Sequence, residues 1–434
     1  ANRLVTLCDR LEQRMPTAVV SITSILTSVL LFELGNSLLG VLIPYRAVLE
    51  QTSSFGLGAL GAAYYLGFVA GCVRAGPLIH RIGHIRAFSA LAAVAGASVM
   101  LLGLLPNLTL WLLLRTALGF CFAGMFVVVE SWLNEITETA RRGRVLAYYM
   151  MTVWAATGVG KASFAVTEPN HLAAFALVSI AISLALVPVA MTAGITPQQP
   201  TIVRFRLRDL YGTAPVAVIG CFMTGASNGA FWMLAPVFAQ ARTDTQTAVA
   251  LFMTVAVAGG ALSQWPLGRL SDGVDRRWVI IGTTAMAAVA AGLIGSFPDA
   301  PTAQLLALSG VFGVFALPIY ALCIAHANDR MAAGMFVNAS GQLLLLFGLG
   351  AAVGPVLAAI MVDAVGPRGL FYYIAGAQLL FAALTAARLI QHGPAPAPAE
   401  PFVIMPRTTP AAARLDPRAD TEATALSIAQ HPER

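Results

Sequence analysis

Twelve apolar runs, most of them near twenty residues long, leave few folds open to this chain. They fall at about 19–43, 55–78, 87–105, 108–130, 146–167 and 171–193, and, after a polar stretch, at about 215–238, 246–268, 278–297, 303–326, 332–362 and 370–391. A run of about 18 apolar residues or more can cross the hydrocarbon core of a bilayer as a helix. The backbone finds no water to bond inside that core, so each run must satisfy its own amides helically. The expectation is an all-α membrane protein with twelve transmembrane helices. Composition agrees: 58% hydrophobic and 11% charged residues over 434 positions is more apolar surface than a soluble domain of this size can bury. The sequence contains no Walker loop, dinucleotide fingerprint or metal-spaced Cys/His set. No enzyme activity, cofactor or metal is therefore expected.

The cationic side chains orient the spans. Of 26 Lys and Arg, twenty lie on one side: nineteen in the two tails and the loops that twelve spans place beside them, and Arg388 at the tail end of the last run. Arg46, Arg242 and Arg368 lie in the opposite loops, and Arg74, Arg115 and Lys161 lie inside spans. Under the positive-inside rule both termini face the cytoplasm. The net charge of +6 then follows from topology, and no nucleic-acid partner is expected. Residues 1–17 set Leu4, Leu7, Leu11 and Met15 at helical spacing among Arg3, Arg10 and Arg14, and read as an interfacial helix on the bilayer. No cleavage pattern follows that would mark a removable signal peptide. Residues 18–195 hold six spans, 196–214 are a cytoplasmic linker, and 215–392 hold six more. Residues 393–434, which open on PAPAPAEP, read as a disordered cytoplasmic tail. The five cysteines are scattered over different segments and read as small core residues rather than a disulfide or metal set.

The two halves correspond at one offset of 192 residues: Gly76 and His80 with Gly268 and Asp272, Asn107 with Asp299, and Gly158 with Gly350. Such a repeat makes two parallel six-helix bundles. With these landmarks the chain resembles the major facilitator superfamily over residues 18–392. That family carries a G-x-x-x-D-R-x-G-R-R signature after the second helix of each half. GRLSDGVDRR at 268–277 keeps Gly268, Asp272, Arg276 and Arg277, with Asp275 in place of the second glycine. GPLIHRIGHIR at 76–86 keeps Gly76, Arg81 and Gly83, with His80 in place of the aspartate. VVVESWLN at 127–134, RGRVLAYYMM at 142–151 and QWPLGRLSD at 264–272 are similar to the YcaD-like branch, which is bacterial. The resemblance implies the major facilitator fold, a bacterial inner membrane, a small-molecule substrate and transport by alternating access. It also implies a cytoplasmic gate of Arg81, Glu130, Asp272, Arg276 and Arg277, in which Asp272 lies near Arg144 at the start of span 5 and Glu130 pairs with Arg81 or Arg86. Ordinary interfacial ion pairs are the competing reading of these residues.

Three charges lie at membrane depth, where each is a functional-site hypothesis. Glu33 is about 14 residues from the cytoplasmic end of span 1, Lys161 about 15 from that of span 5, and Arg115 about 7 from the opposite end of span 4, so helix rise brings them to a similar level. In the resembled fold the first and fourth helices line a central cavity, with the fifth alongside. One reading is a structural triad of two cations on one carboxylate. The other is a proton-coupling and substrate site, with Glu33 taking the proton and Arg115 and Lys161 holding an anion. Asn36 shares a helix face with Glu33, and Trp154 shares one with Lys161. The second half offers neutral candidates for the cavity wall: Asn228, Trp232, Gln264, Tyr320, Asn338 and Gln342. His326 reads as a loop-edge residue. The Gly-Pro pair of the family's antiporters is missing from span 5, which reads GVGKASF. The function expected first is proton-coupled secondary transport of a small anionic or zwitterionic organic solute. Efflux of lipophilic compounds and a non-transporting assembly factor with the same fold are the alternatives. Nothing in the sequence specifies the oligomeric state.

Overall fold

In the computed structural model, residues 2–191, 207–243, 245–297, 299–331, 336–393 and 402–416 are described. Each apolar run forms a helix. The first half comprises α1 (Asn2–Leu49), α2 (Ser54–Ile82), α3 (His84–Leu104), α4 (Leu108–Ile136), α5 (Arg142–Ser163) and α6 (Leu172–Ala190). The second comprises α7 (Pro215–Arg242), α8 (Gln246–Asp272), α9 (Arg276–Ser296), α10 (Thr302–Asn328), α11 (Phe336–Val365) and α12 (Gly369–His392). Among the described residues, 11 of these helices are long and apolar enough to cross a membrane. The remaining one is α5, whose Arg142, Arg144 and Lys161 dilute a 22-residue helix that is still about 33 Å long.

Local chemistry sets the helix ends. Ser53, Asn107 and Thr245 cap α2, α4 and α8 by accepting from the amides of Gly56, Leu110 and Ala248. Gly83, at φ +85°, turns α2 directly into α3, a backbone conformation that a side chain would strain. Pro318, which has no amide hydrogen, sits where α10 breaks into Thr302–Ala316 and Ile319–Asn328.

Small residues bring backbones into contact within each half. A Cβ on Gly119 of α4 would lie 2.0 Å from the Tyr64 carbonyl oxygen of α2, and one on Gly225 of α7 would lie 2.1 Å from the Phe347 carbonyl oxygen of α11. Between halves, α2 packs on α11 and α5 on α8. Gly58 and Gly61 there meet Pro355, whose backbone oxygen would lie 2.7 Å from a Cβ on Gly58. Buried phenylalanines fill each bundle: Phe32 meets Phe88, Phe122 and Phe126, and Phe371 meets Phe238, Phe252 and Phe312.

Three expectations need correction: the segment 1–17, His326 and part of the tail. The segment 1–17 is not a separate interfacial helix; the backbone is helical from Asn2 and continuous with α1. Extending an existing helix costs less than nucleating a second one. In the linker, residues 207–213 form a short helix, while 192–206 lie outside the described residues. His326 is buried at 3% exposure rather than at a loop edge, because α10 continues past it. Within the expected disordered tail, residues 402–416 are packed against the bundle, with Met405, Ala412, Ala413, Leu415 and Asp416 buried. Residues 394–401 and 417–434 lie outside the described residues. The sequence FVIM at 402–405 supplies the apolar surface for that packing.

Candidate functional site

A cavity of about 220 Å³ lies between the halves, walled by α1, α2, α4 and α5 on one side and α7, α8 and α11 on the other. Glu33, Arg115 and Lys161 all line it, each under 10% exposed. They are not one ion-paired triad. Among the described residues, no Lys or Arg nitrogen lies within 4.0 Å of the Glu33 carboxylate. Glu33 instead accepts from Asn36 Nδ2 at 3.0 Å and from Thr157 Oγ1 at 3.0 Å. Helical spacing explains the pair. Asn36 is one turn along α1, and α5 approaches α1 closely because a Cβ on Gly160 would lie 2.5 Å from the Leu34 carbonyl oxygen.

Each cation rests on an aromatic face. The Arg115 guanidinium lies 4.5 Å from the Tyr64 ring centroid and the Lys161 ammonium 4.7 Å from that of Trp232. Lys161 is still within Coulombic reach of Glu33. Tyr64 joins the two sets, because its hydroxyl donates to Asn36 Oδ1 at 3.3 Å while its ring carries Arg115. Among the described residues, three buried polar atoms on the wall have no hydrogen-bond partner, Arg115 Nε, Gln264 Oε1 and Arg407 Nη1. Leaving such groups unpaired is costly, so they are available to a bound solute. The arrangement can therefore hold an anion on the two cations and exchange a proton at a carboxylate fixed by neutral donors.

Of the other expected wall residues, Asn36, Trp154, Trp232 and Gln264 line the cavity. Asn228, Tyr320, Asn338 and Gln342 do not. Asn228 is fully buried in α7, and Tyr320 stands behind Phe347 at 5.0 Å, edge to face. Tyr64, Tyr65, Phe68 and Phe347 also line the cavity, although no charge or motif marks them in the sequence. The pair Tyr64-Tyr65 stands on the glycine-rich stretch of α2, and that glycine spacing was the available signal. Among the described residues no group of three or more His, Cys, Asp or Glu could hold a metal. Cys121, Cys221 and Cys323 are buried and unbridged, and Cys72 is half-buried.

The loop residues expected to gate the cavity are arranged differently from the expectation. Asp272 pairs with Arg276 Nη1 at 3.0 Å and accepts from the Phe402 amide at 2.8 Å, rather than engaging Arg144. Arg276 also holds Asp329 at 2.7 Å and Ser271 Oγ at 2.6 Å. Arg277 pairs with Asp275 at 2.6 Å and donates to the Gly393 carbonyl oxygen. Asp275 thus replaces the signature glycine by capping α9 and anchoring Arg277. Glu130 does not pair with Arg81 or Arg86. Those two are exposed, whereas Glu130 is fully buried and accepts from Tyr149 at 2.6 Å and from Thr408 and Thr409. Hydroxyls replace the cation because α4 turns Glu130 inward, toward α5 and the tail.

Comparison with known proteins agrees with this architecture. The sequence profile of the Major Facilitator Superfamily matches residues 25–210 and 217–425. A relative described as "Uncharacterized MFS-type transporter YcaD" from Escherichia coli O17:K52:H18 (strain UMN026 / ExPEC) is 27% identical over 384 residues, 88% of this chain and 99% of its own. The protein of the same description from Escherichia coli O139:H28 (strain E24377A / ETEC) is 26% identical over 388 residues, 88% of this chain and 99% of its own. Among solved structures, the nucleoside transporter NupG superposes with a TM-score of 0.68 at 12% identity, covering 85% of this chain and 98% of that one. The human organic anion transporter MFSD10 (TETRAN) does so with a TM-score of 0.56 at 15% identity, covering 85% and 99%.

Proposed function

The chain belongs to the major facilitator superfamily, and from that premise we propose that it moves a small anionic or zwitterionic organic solute across the membrane by proton-coupled alternating access. The observation that carries this reading is the cavity's charge arrangement. Two buried cations, Arg115 and Lys161, face the space between the halves with aromatic rather than carboxylate partners, and Glu33 is held apart from them by Asn36 and Thr157. A purely structural triad would place the carboxylate on the cations, since a buried charge without a partner destabilises a fold. Here an arriving anion supplies the missing partner, and its charge and the Glu33 proton act on the same cations.

The arginine bias supports cytoplasmic termini, and the Escherichia coli relatives support the inner membrane. In that orientation the Asp272, Arg276 and Arg277 cluster and Glu130 stand at the cytoplasmic mouth of the cavity. They constitute the gate on that side, with Arg81 exposed at its edge. The rings of Tyr64, Tyr65, Phe68 and Phe126 on the wall favour a second reading, efflux of a lipophilic compound. Lys161 separates the two. A ligand-stability screen of purified protein against organic acids and neutral lipophilic compounds tests the assignment, because a bound cargo raises stability by RT ln(1 + [L]/Kd). Organic acids should stabilise the parent and lose that effect in Lys161→Ala. Stabilisation by lipophilic compounds alone, undiminished in that variant, would overturn the anionic-solute reading.

A further inference from the structure

The segment 402–416 joins the two halves at one mouth of the cavity. On the second half, the Phe402 amide donates to Asp272 Oδ1, and the Phe402 ring fills the space beside Gly268, where a Cβ would lie 2.1 Å from the ring. Two signature residues thus make room for this segment and bind it. On the first half, the hydroxyls of Thr408 and Thr409 donate to Glu130, and Asn134 Nδ2 donates to the Ala411 carbonyl oxygen at 2.8 Å. Each anchor belongs to one half only, so any rearrangement that parts the halves here must release one side of the segment.

Between these anchors Arg407 enters the cavity. Its guanidinium lies 5.7 Å from the Trp154 ring of the first half and 5.9 Å from the Phe347 ring of the second. Its Nη1 is buried with no hydrogen-bond partner among the described residues. Arg407 therefore repeats the situation of Arg115, stacked on an aromatic face with a buried donor unpaired. The charged groups on the cavity wall are Arg115, Lys161 and Arg407 against Glu33 alone, an excess of two positive charges when Glu33 is ionised. Buried guanidinium donors are best satisfied by oxyanions, which they bind with paired, charge-assisted hydrogen bonds.

We propose that residues 402–416 form a lid on the cavity and that Arg407 is its cargo-binding residue, the third cation of a site for an organic dianion. This rests on the carrier reading, and it adds a charge requirement and a moving part that the reading does not contain. Cys72 reports on the lid, because its Sγ lies 4.0 Å from the Thr408 carbonyl oxygen while Cys121, Cys221 and Cys323 are buried in the helices.

The test is the rate at which a maleimide alkylates Cys72 in the full-length purified protein carrying Cys8→Ser, in sulfate and in chloride at equal ionic strength. Sulfate stands in for the dianion. With the lid drawn down over the anion, Cys72 should react severalfold more slowly in sulfate than in chloride. Arg407→Met keeps an unbranched apolar stem without the charge; alkylation should rise about tenfold, as expected for losing contacts of the cation–π kind, and the sulfate effect should vanish. Arg407→Lys should keep the sulfate effect, which separates charge from folding. Sulfate acting equally on the parent and on Arg407→Met would reveal a general salting effect and overturn the role of Arg407. Equal Cys72 rates in the parent and Arg407→Met in chloride would overturn the lid, and equal rates for the parent in sulfate and chloride would overturn the dianion site. None of these readouts needs flux. A lid that responds as expected in a protein that moves no solute would sink the carrier reading alone, and an unresponsive Cys72 in a protein that transports would sink the lid alone.

Discussion

Gly119→Ala is a one-carbon change that should disturb the site through helix packing alone. The added Cβ would lie 2.0 Å from the Tyr64 carbonyl oxygen and 2.8 Å from the Phe68 amide nitrogen. Both are backbone atoms of α2, so no rotamer change relieves the clash. Ordinary contact starts at 3.4 Å, so α2 and α4 part locally by about 1.4 Å to restore it. Overpacking of this kind costs about 1–3 kcal/mol. Tyr64 moves with α2, and its 3.3 Å bond to Asn36 then passes out of hydrogen-bond range, loosening the group that orients Glu33. Gly282→Ala in α9 is the control, because nothing lies within 4 Å of a Cβ there. Replacing a helical glycine by alanine with space to spare gains up to about 1 kcal/mol. The two variants should therefore differ by about 2–4 kcal/mol and shift the thermal midpoint in detergent in opposite directions. Binding of a stabilising organic acid should weaken only in Gly119→Ala. Equal shifts in the two variants would refute the contact between α2 and α4 as the determinant of site geometry.

Three further outcomes are expected. Glu33→Gln should leave solute binding largely intact and remove its dependence on pH, whereas Lys161→Ala should weaken anion binding. The double variant should fold better than Lys161→Ala alone, as measured by thermal midpoints; falling stability in both single variants with unchanged pH dependence would indicate a purely structural role. Asp272→Asn weakens its pair with Arg276 and its hold on the Phe402 amide, so two-sided cysteine accessibility should shift toward the state open at that mouth. Identical accessibility in variant and parent would remove Asp272 from the gate. Reporter fusions should place the 196–214 linker in the cytoplasm and the loops around Arg46, Arg242 and Arg368 outside, and an external signal at the linker would overturn the orientation.

The sequence disclosed the helices because apolar length is a local property. It disclosed the pseudo-repeat because Gly76 and Gly268 stand at equivalent helix ends. The three charges at membrane depth were legible for the same reason: Glu33, Arg115 and Lys161 are conspicuous in apolar runs, and all three reach the cavity. Their partners were less legible. Charge complementarity offered a triad with Glu33 on the cations and an arginine for Glu130, whereas Asn36, Thr157, Tyr64 and Trp232 partner the three charges and Tyr149, Thr408 and Thr409 partner Glu130. Neutral hydrogen bonds and ring faces leave little trace in one sequence, because the same residues serve ordinary helix packing. The docked part of the tail is hidden in the sequence because it follows PAPAPAEP and lies among Ala, Thr and Pro, a composition that reads as disordered. Phe402 to Thr409 dock on Gly268, Asp272 and Glu130, which are far away in the sequence, and composition cannot register such a contact.

The most direct test of proton-coupled carriage uses proteoliposomes under an imposed pH gradient, with the organic acid that most stabilises the purified protein as solute. A coupled carrier accumulates the solute beyond its external concentration while the gradient lasts, loses it when a protonophore is added, and in Glu33→Gln equilibrates the solute without accumulating it. Uptake that stops at equal concentrations with the gradient intact, or that is the same in Glu33→Gln as in the parent, would contradict proton coupling through Glu33.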